Sequence, residues 1–533
     1  MKRSVLSGCF LLVGLILSAL PSSAAGESGF SAEEFLAPQA VAETVGVRRD
    51  ASEKHVAMLA LQERLAAARV EAALASPYRV ALTEPERQRI DVGGSAERRY
   101  LVGISSPAGL AVDLEPGRIA GSLAAPVGPG VARGIGDRDL VWTAAFEATG
   151  ATALRLHISG LDLPRGAALY VYNLAGQAFG PYRGRGPLGN GELYTHTVAG
   201  ERLLLQLDAE AGDAPIRFRV EEVGVMGQRF LPARFGPSVV LFDSVEVAAS
   251  NLCSYNADCV VNAACGTTPS FMNPARDAIA TILFQSGASY YICTGGLIAD
   301  MVPSSTIPFF LTANHCISSG NEAASVETYF DYETSCSGPN CTQPYDNTGD
   351  TVGATLRNAS SSDDHSLLQL SANPASADGV QTYLGWTSTA VANSNNTPLY
   401  RISHPSGAPQ AYSAQHVDTS KGTCGTLPRG RYIYSTDALG ATEGGSSGSP
   451  VVNGALQIVG QLYGACGFNL DDVCDADSNA TVDGAFANAY PSLAPFLNPG
   501  GGGSCSPPGA SCTANNQCCS NNCKGKPGQK TCK

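Results

Sequence analysis

The distribution of cysteines divides this chain of 533 residues more sharply than any other feature. Apart from Cys9, no cysteine occurs before residue 253; ten lie between residues 253 and 474, and six crowd between residues 505 and 532. In an oxidising compartment, an even set of this kind indicates a disulfide framework. We therefore expect a cysteine-free N-terminal half, an oxidised globular domain, and a C-terminal module too small for a core of its own.

The first 25 residues predict a secretory signal. A basic start, Met1–Arg3, precedes an apolar run from Val5 to Leu20 and then small residues up to Ala25. This order of segments is typical of a signal peptide cleaved after about Ala25. Because the run is short for a membrane span, we expect no membrane insertion after cleavage. Cys9 would leave with the signal, so an even number of cysteines remains.

Composition limits the partners that the mature chain can have. With 44% hydrophobic and 15% charged residues, the chain is globular and not disordered. Its formal net charge of -13 argues against nucleic acid and anionic membranes as partners, because phosphate groups would repel it.

Two regions precede the cysteine-rich part. Residues 26–94 predict a helical pro-segment, since apolar residues recur near helical spacing at Val56, Leu59, Leu65 and Leu74. Residues 95–235 predict a β-sandwich-like domain, because short apolar runs alternate with Gly, Pro, Asn and Asp turns. His157 and His196 fall in or beside such runs, and we expect both to be structural.

The chemistry-bearing stretch is Gly445-Ser446-Ser447-Gly448-Ser449-Pro450. A serine hydroxyl is a poor nucleophile, so it needs an adjacent base and backbone N–H groups aimed at the developing oxyanion. Gly445 permits a backbone in which its own N–H and that of Ser447 converge. We expect Ser447 to be the nucleophile. His315, in Leu311-Thr312-Ala313-Asn314-His315-Cys316, is the expected base.

An acid must orient the imidazole and stabilise its charged form. Asp364 begins Asp364-His365-Ser366-Leu367-Leu368, and Asp363 directly precedes it. Asp364 is favoured because the apolar run that would bury the acid starts in register with it. Asp363 is the competing carboxylate, and its alternative interpretation is a solvated loop residue.

These segments resemble the trypsin-like serine proteases, in which a Cys-x-Gly-Gly-Leu-Ile strand like that of Cys293 precedes the histidine loop. Within that group the resemblance is strongest to bacterial lysyl endopeptidases, over roughly residues 251–497. It implies a mostly β fold with a double β-barrel over residues 245–497, and hydrolysis of protein or peptide substrates without metal or cofactor. It also implies a zymogen whose N-terminal pro-region is removed, and the alternative is a retained accessory domain.

The resemblance further implies the bridges Cys293–Cys316, Cys253–Cys466 and Cys259–Cys336, and leaves Cys265, Cys341, Cys424 and Cys474 unassigned. Residues 498–504 form a Gly-rich linker. Residues 505–533, with adjacent Cys518 and Cys519, resemble the knottins, which implies the pairs Cys505–Cys519, Cys512–Cys523 and Cys518–Cys532. Four lysines in this module suggest either docking on an anionic surface or a soluble cap.

The sequence does not decide which residues form the specificity pocket. Its candidate residues are Ala441, Tyr463, Gly464, Thr481 and Asp483. Ala441 stands where a trypsin-type acid would lie, and Thr481 falls at the position of the lysine-selecting acid, with Asp483 as a substitute if the loop shifts. No lysine occurs between Lys54 and Lys421, so a strictly lysine-cutting enzyme could not release its own domain near residue 250.

Two other functions remain. The chain could be a secreted binding protein that uses the protease fold and the knottin as a scaffold, or it could be an esterase of the same fold. The chain has a candidate nucleophile, base, acid and oxyanion loop. A non-catalytic scaffold has no need of this complete set, so the set argues against the scaffold.

Overall fold

The computed structural model describes residues 38–45, 51–92, 99–119, 124–135, 139–210, 212–230, 232, 257–302, 305, 307–336, 349–374, 381–499, 511, 523–526 and 530–532. The predicted signal peptide, most of the linker and most of the knottin-like module lie outside these residues. Residues 38–533 form one compact, mostly β unit. No helix among the described residues has the length and apolar character that crossing a membrane requires.

The N-terminal half contains helices α1 (Ala51–Ala68), α2 (Glu84–Val92) and α3 (Pro116–Ile119). Its strands are β1 (Gln39–Ala40), β2 (Glu43–Val45), β3 (Tyr78–Arg79), β4 (Tyr100–Leu114), β5 (Ala125–Val127), β6 (Gly130–Ile135), β7 (Asp139–Glu147), β8 (Ala153–Ser159), β9 (Ala168–Tyr172), β10 (Ala178–Tyr182), β11 (Leu193–Tyr194), β12 (Val198–Ala199), β13 (Arg202–Glu210) and β14 (Ile216–Met226).

Two of its sheets pack face to face as a sandwich. One sheet has the order β10-β9-β13-β7-β6-β5, and the facing strands are β11 and β12 beside β8, followed by β14 and β4. Trp142, Leu156 and Val220 are buried between them. Strand β7 is buried on both faces because α1 covers its outer side, where Leu65 packs near Ala145. This explains why the run reads as continuously apolar instead of alternating.

The C-terminal half contains helices α4 (Asn273–Ala278), α5 (Gly320–Ala324) and α6 (Phe486–Leu497). Its strands are β15 (Val261–Asn262), β16 (Ile279–Ser286), β17 (Ser289–Leu297), β18 (Phe309–Ala313), β19 (Glu327–Tyr329), β20 (Thr351–Val352), β21 (Ala354–Ser360), β22 (His365–Leu370), β23 (Gln381–Tyr383), β24 (Gly385–Thr387), β25 (Pro398–Ser403), β26 (Ala411–Val417), β27 (Tyr432–Leu439), β28 (Pro450–Val452), β29 (Gln457–Gly467), β30 (Asn479–Ala485), β31 (Cys523–Lys524) and β32 (Thr531–Cys532).

These strands build two barrel-like sheets. The first has the order β21-β22-β18-β17-β16-β19-β20. In the second, β25, β26, β27, β30, β29 and β28 pair in a closed ring. Closure of the ring removes free sheet edges, so the second barrel presents its chemistry through loops.

The sandwich and the first barrel share a sheet. Strand β4 pairs antiparallel with β17, so one sheet runs from the sandwich into the first barrel. Farther back, β1 pairs with β24 and β2 with β23. A wholly buried contact also joins the halves, since Arg155 Nε lies 3.8 Å from Glu327 Oε2. Thr197 Oγ1 donates to the same carboxylate at 2.6 Å.

Only one of the three bridges expected for the cysteine-rich domain is present in the described residues, namely Cys293–Cys316. The expected Cys259–Cys336 pair is wrong: Cys259 bonds Cys474 and Cys336 bonds Cys265. The pairing of Cys466 with Cys253 is also wrong, because Cys424 bonds Cys466. Cα separations of 4.9–6.0 Å allow these three bridges. The folded loops, and not sequence spacing, decide the partners.

Other cysteine expectations lie outside the described residues, namely those on Cys253, Cys341, Cys505, Cys512, Cys518 and Cys519. In the C-terminal module the structure describes one antiparallel hairpin, formed by β31 and β32. The pairings implied by the resemblance to knottins stay predictions.

Candidate active site

His315 and Asp364 are brought together by two neighbouring strands of the first barrel. Strand β18 pairs antiparallel with β22, with Ala313 opposite His365. His315 follows the end of one strand and Asp364 precedes the start of the other, so both lie at the same edge. His315 Nδ1 lies 2.7 Å from Asp364 Oδ2, and the His315 N–H donates to Asp364 Oδ1 at 2.8 Å. Both carboxylate oxygens therefore hold the histidine.

The backbone of Asp364 is strained in a way that serves this contact. Its φ is +56°, a left-handed conformation that non-glycine residues rarely adopt. Asn314 N donates to Asp364 O at 2.9 Å, and Gln461 Nε2 donates to the same oxygen at 3.2 Å. Strain of this kind persists only where surrounding bonds fix it, and it concentrates at functional sites.

Asp363, the competing acid, points elsewhere and is not a solvated loop residue. It is buried, and its Oδ1 lies 2.9 Å from His365 Nδ1. Asn488 Nδ2 donates to its second oxygen at 3.0 Å. Burial raises the pKa of Asp363, but hydrogen bonding and the charge of His365 outweigh it and leave the pKa below its usual value.

The loop of Ser447 lies against β17. Thr294 N donates to Ser447 O at 2.8 Å, and Thr294 Oγ1 donates to Gly445 O at 2.8 Å. The neighbouring Cys293 is bonded to Cys316, directly after His315. Strand β17 therefore ties the histidine loop and the serine loop to one scaffold. Ser447 itself is buried, with 5% of its surface exposed.

Glycine is required on both sides of Ser447. Gly445 has φ +96°, and a Cβ there would lie 2.9 Å from His404 O. Gly448 has φ +82°, and a Cβ there would meet Thr294 O at 2.5 Å. These positions match the expectation that the loop needs a backbone conformation closed to residues with a Cβ.

The side of the His315 ring that does not contact Asp364 lies toward the second barrel. Its ring packs edge-on against Tyr463, with 6.0 Å between centroids. Nε2 of His315 is buried and has no hydrogen-bond partner among the described residues. Cys293, His315 and Cys316 also place potential metal-ligand atoms within 4.8 Å of one another. Because the two sulfurs are joined in a disulfide, they are not thiolates and cannot serve as metal ligands in this state.

A cavity lies beside the same strand that carries Tyr463. Its lining includes Thr442 and Ala465 together with Asp437 and Thr481. Asp437 was missed by the sequence analysis. Thr481 Oγ1 lies 3.0 Å from each oxygen of Asp437, and burial raises the pKa of Asp437 to about 6. The only sequence signal was an acid in β27, which pairs with β30 near Thr481.

The other residues expected in the specificity pocket lie outside the lining of this cavity. Asp483 is fully buried, accepts a 2.6 Å hydrogen bond from Arg401 Nη2, and is not among the residues that line the cavity. Ala441 is buried against Val260 and does not line the cavity. A Cβ on Gly464 would meet no atom within 4 Å, so open space adjoins its backbone.

Comparison with known proteins supports a protease. Residues 249–478 match the family model described as lysyl endopeptidase, C-terminal domain. A curated relative, Secreted RxLR effector protein 73 from Plasmopara viticola, is 30% identical over 201 residues, which is 36% of this chain and 46% of the relative. The chain thus spans about half the length of that relative.

Solved structures of proteases also align with the chain. The active form of the Rv3671c protease from M. tuberculosis gives a TM-score of 0.29 at 14% identity and covers 47% of this chain and 88% of its own. An HtrA-type protease, AlgW, gives 0.29 at 14% identity over 43% and 62%, and the serine endoprotease from Yersinia pestis gives 0.28 at 14% identity over 43% and 66%. His315, Asp364 and Ser447 all lie within residues 249–478, the part of the chain that is similar to the C-terminal domain of lysyl endopeptidase.

Proposed function

We propose that this chain is a secreted serine endopeptidase that hydrolyses peptide bonds through Ser447, His315 and Asp364. One observation carries the proposal: Asp364 holds Nδ1 of His315 at 2.7 Å while Nε2 has no partner among the described residues. An imidazole fixed on one side and open on the other is what a general base for an alcohol requires.

In the proposed reaction, His315 Nε2 takes the proton of Ser447 Oγ as that oxygen attacks the peptide carbonyl. The N–H groups of Gly445 and Ser447 stabilise the oxyanion. The protonated imidazole then gives its proton to the leaving amine, and the acyl group stays on Ser447. His315 then takes a proton from a water molecule as its oxygen attacks the ester carbonyl, and it returns that proton to Ser447 Oγ as the ester bond breaks and the carboxylic acid leaves.

The chain is proposed to be made as a zymogen and secreted. Strand β4 of the sandwich pairs with β17 of the first barrel, and β1 pairs with β24 beside the second barrel. The N-terminal half therefore contacts the protease-like half through two strand pairings. The signal-like residues 1–25 favour export, and the relative from Plasmopara viticola is called a secreted protein.

Asp437 supports a basic side chain before the scissile bond. It brings a carboxylate to the cavity beside β29, next to Thr481, which the sequence placed at the position of the lysine-selecting acid. Since burial raises its pKa to about 6, the group is charged above pH 6 and neutral well below it. Preference for arginine or lysine over norleucine should therefore weaken as the pH falls through 6. Asp437→Asn should abolish that pH dependence, and a wild-type ratio that stays constant from pH 8 to pH 5 would exclude Asp437 from this role.

Labelling with a fluorophosphonate tests the function directly. The secreted chain should react at Ser447, and Ser447→Ala should abolish both labelling and peptide hydrolysis while the protein still folds and is secreted. Ser449→Ala in the same loop is the matched control for the serine that is labelled. An unlabelled wild-type protein would favour the non-catalytic scaffold, whereas turnover of esters without peptides would favour an esterase.

A further inference from the structure

The N-terminal end of β4 lies at the site just described. Tyr100 pairs with Ile292 and Leu101 with Tyr291, and farther along Ile104 pairs with Ser289. The next residues of β17 are Cys293, bonded to Cys316, and Thr294, which holds the serine loop. The sandwich strand therefore occupies the part of the β17 edge that runs up to the candidate active site.

The direction of β4 relative to the candidate active site follows from its pairing with β17. Because the pairing is antiparallel, β4 starts near the serine loop and runs away from it. A substrate in the same register would have its scissile bond at the N-terminal end, and the paired residues would follow that bond. The edge from Ser289 to Ile292 is therefore a surface for the leaving-group side of a substrate, read through main-chain hydrogen bonds.

Arg99, directly before β4, sits in a polar cluster beside the histidine. Its Nε donates to the carbonyl oxygen of His315, and its Nη1 donates to Ser286 Oγ at 2.6 Å. The same Nη1 lies 3.2 Å from Glu322 Oε1. The guanidinium also lies 5.7 Å from the ring centroid of Tyr291. Three oxygen atoms and the ring of Tyr291 thus surround the guanidinium of Arg99.

Glu322, the acid in this cluster, is held in position by hydrogen bonds from neighbouring residues. Glu322 is 6% exposed, and its Oε1 accepts from Ser286 Oγ at 2.6 Å. Its Oε2 accepts from Ser318 N at 2.7 Å and caps α5. These bonds belong to the protease domain alone, so the carboxylate keeps its position without Arg99.

Tyr100 closes the other side of the cleft. Its hydroxyl accepts a hydrogen bond from Arg229 Nε at 2.9 Å, and that guanidinium lies 3.9 Å from the ring centroid. A Cβ on Gly444 would lie 3.3 Å from Cδ2 of Tyr100, so the ring packs on the loop that leads to Gly445. The strand end is thus wedged between the histidine and the serine loop.

We propose that the β17 edge and the cluster of Ser286, Glu322 and His315 O form a leaving-group-side subsite for an extended peptide carrying arginine or lysine, and that residues 99–104 occupy it in the uncleaved chain. The inference rests on the proposed function, since a subsite has meaning only for an endopeptidase. It adds a second cationic preference, after the scissile bond, and a way in which the N-terminal half blocks the cleft.

The first test uses the full-length chain. Initial hydrolysis of a quenched peptide extended by three residues beyond the scissile bond is measured while gels show the chain uncleaved. Arg99→Ala should raise this rate about fivefold to tenfold, because charge-assisted contacts hold the strand end in place. Arg217→Ala removes an exposed arginine of the same sandwich, paired with Asp113, and should change nothing. An Arg99→Ala rate equal to wild type overturns the occupancy.

The second test uses the processed form that the secreting host releases. Peptides with arginine at the first, second or third place after the scissile bond are compared with norleucine peptides. One place should favour arginine about tenfold in kcat/KM. Glu322→Gln, which keeps an acceptor for the α5 cap, should bring the ratio close to one, and Ser286→Ala should lower it in part. Glu333→Gln, at the acid paired with Arg276, is the control.

The outcomes separate the inference from the function. An active enzyme with no arginine preference at any of the three places, or with a preference that survives Glu322→Gln, overturns the subsite and leaves the proposed endopeptidase intact. Hydrolysis that persists in Ser447→Ala, or its absence from every form, overturns the function and the inference with it.

Discussion

Two aspartate–histidine pairs lie side by side at the start of β22, and only one of them belongs to the proposed catalytic set. Asp364 holds His315 at 2.7 Å, and Asp363 holds His365 at 2.9 Å. The pairs differ at the far ring nitrogen. Nε2 of His365 lies 2.7 Å from Asn358 Oδ1, whereas that of His315 has no partner among the described residues.

Exposure follows the same division. The side chain of His315 is 12% exposed and that of His365 is 1% exposed. A pair whose two nitrogens are both bonded can only stabilise the fold, while a pair with one open nitrogen can exchange a proton with a neighbour. A contact between an aspartate and an imidazole therefore does not by itself mark a catalytic residue.

The largest expected effect is on turnover. Asp364→Asn should lower kcat on the order of 10⁴-fold, because an amide cannot stabilise the imidazolium and favours the wrong tautomer. Steady-state hydrolysis of a peptide by the processed enzyme measures it, with thermal unfolding as the check on folding. A loss of less than about tenfold would mean that Asp364 is not the orienting acid.

Asp363→Asn should act on stability instead. It weakens a buried charge-assisted contact to His365, so the free energy of unfolding should fall by about 1–3 kcal/mol while kcat changes little. Urea unfolding and turnover are measured on the same preparation as Asp364→Asn. If Asp363→Asn cost more turnover than Asp364→Asn, the two roles would be reversed.

The smallest effect is the pH dependence of that penalty. The folded pKa of Asp363 lies below its ordinary value of 3.8, so its carboxylate contributes stability above about pH 4, and the contribution is lost as the pH falls through the folded pKa. The difference in unfolding midpoint between wild type and Asp363→Asn should therefore be larger at pH 7 than near pH 3. Equal differences at both pH values would show that the carboxylate is not preferentially charged in the fold.

The sequence located the two residues that meet, because their positions follow from local strand signals. An apolar run ends before His315 and another begins after Asp364, and antiparallel pairing of such runs brings those ends together. Asp364, and not Asp363, contacts His315, and its role as the orienting acid stays a prediction. The burial of Asp363 was not foreseen, since its partner Asn488 comes from α6, more than a hundred residues away.

Features that depend on distant segments were missed. Disulfide partners depend on which loops of the folded barrels approach each other, and spacing along the chain carries little of that information. Asp437 reaches the cavity from β27 and contacts Thr481 only because β27 and β30 pair. The pairing of β4 with β17 was not predicted for a related reason. The sequence of an apolar edge strand does not specify which other edge strand it will pair with.

The sheet shared by β4 and β17 also bears on how the protein is built. Translation proceeds from the N-terminus, so β4 leaves the ribosome well before β17 does. When β17 emerges, an edge strand that can pair with it has already been made, and the first barrel does not have to begin from an isolated hairpin. The strand proposed to occupy the cleft is thus available as a template while the first barrel is being made.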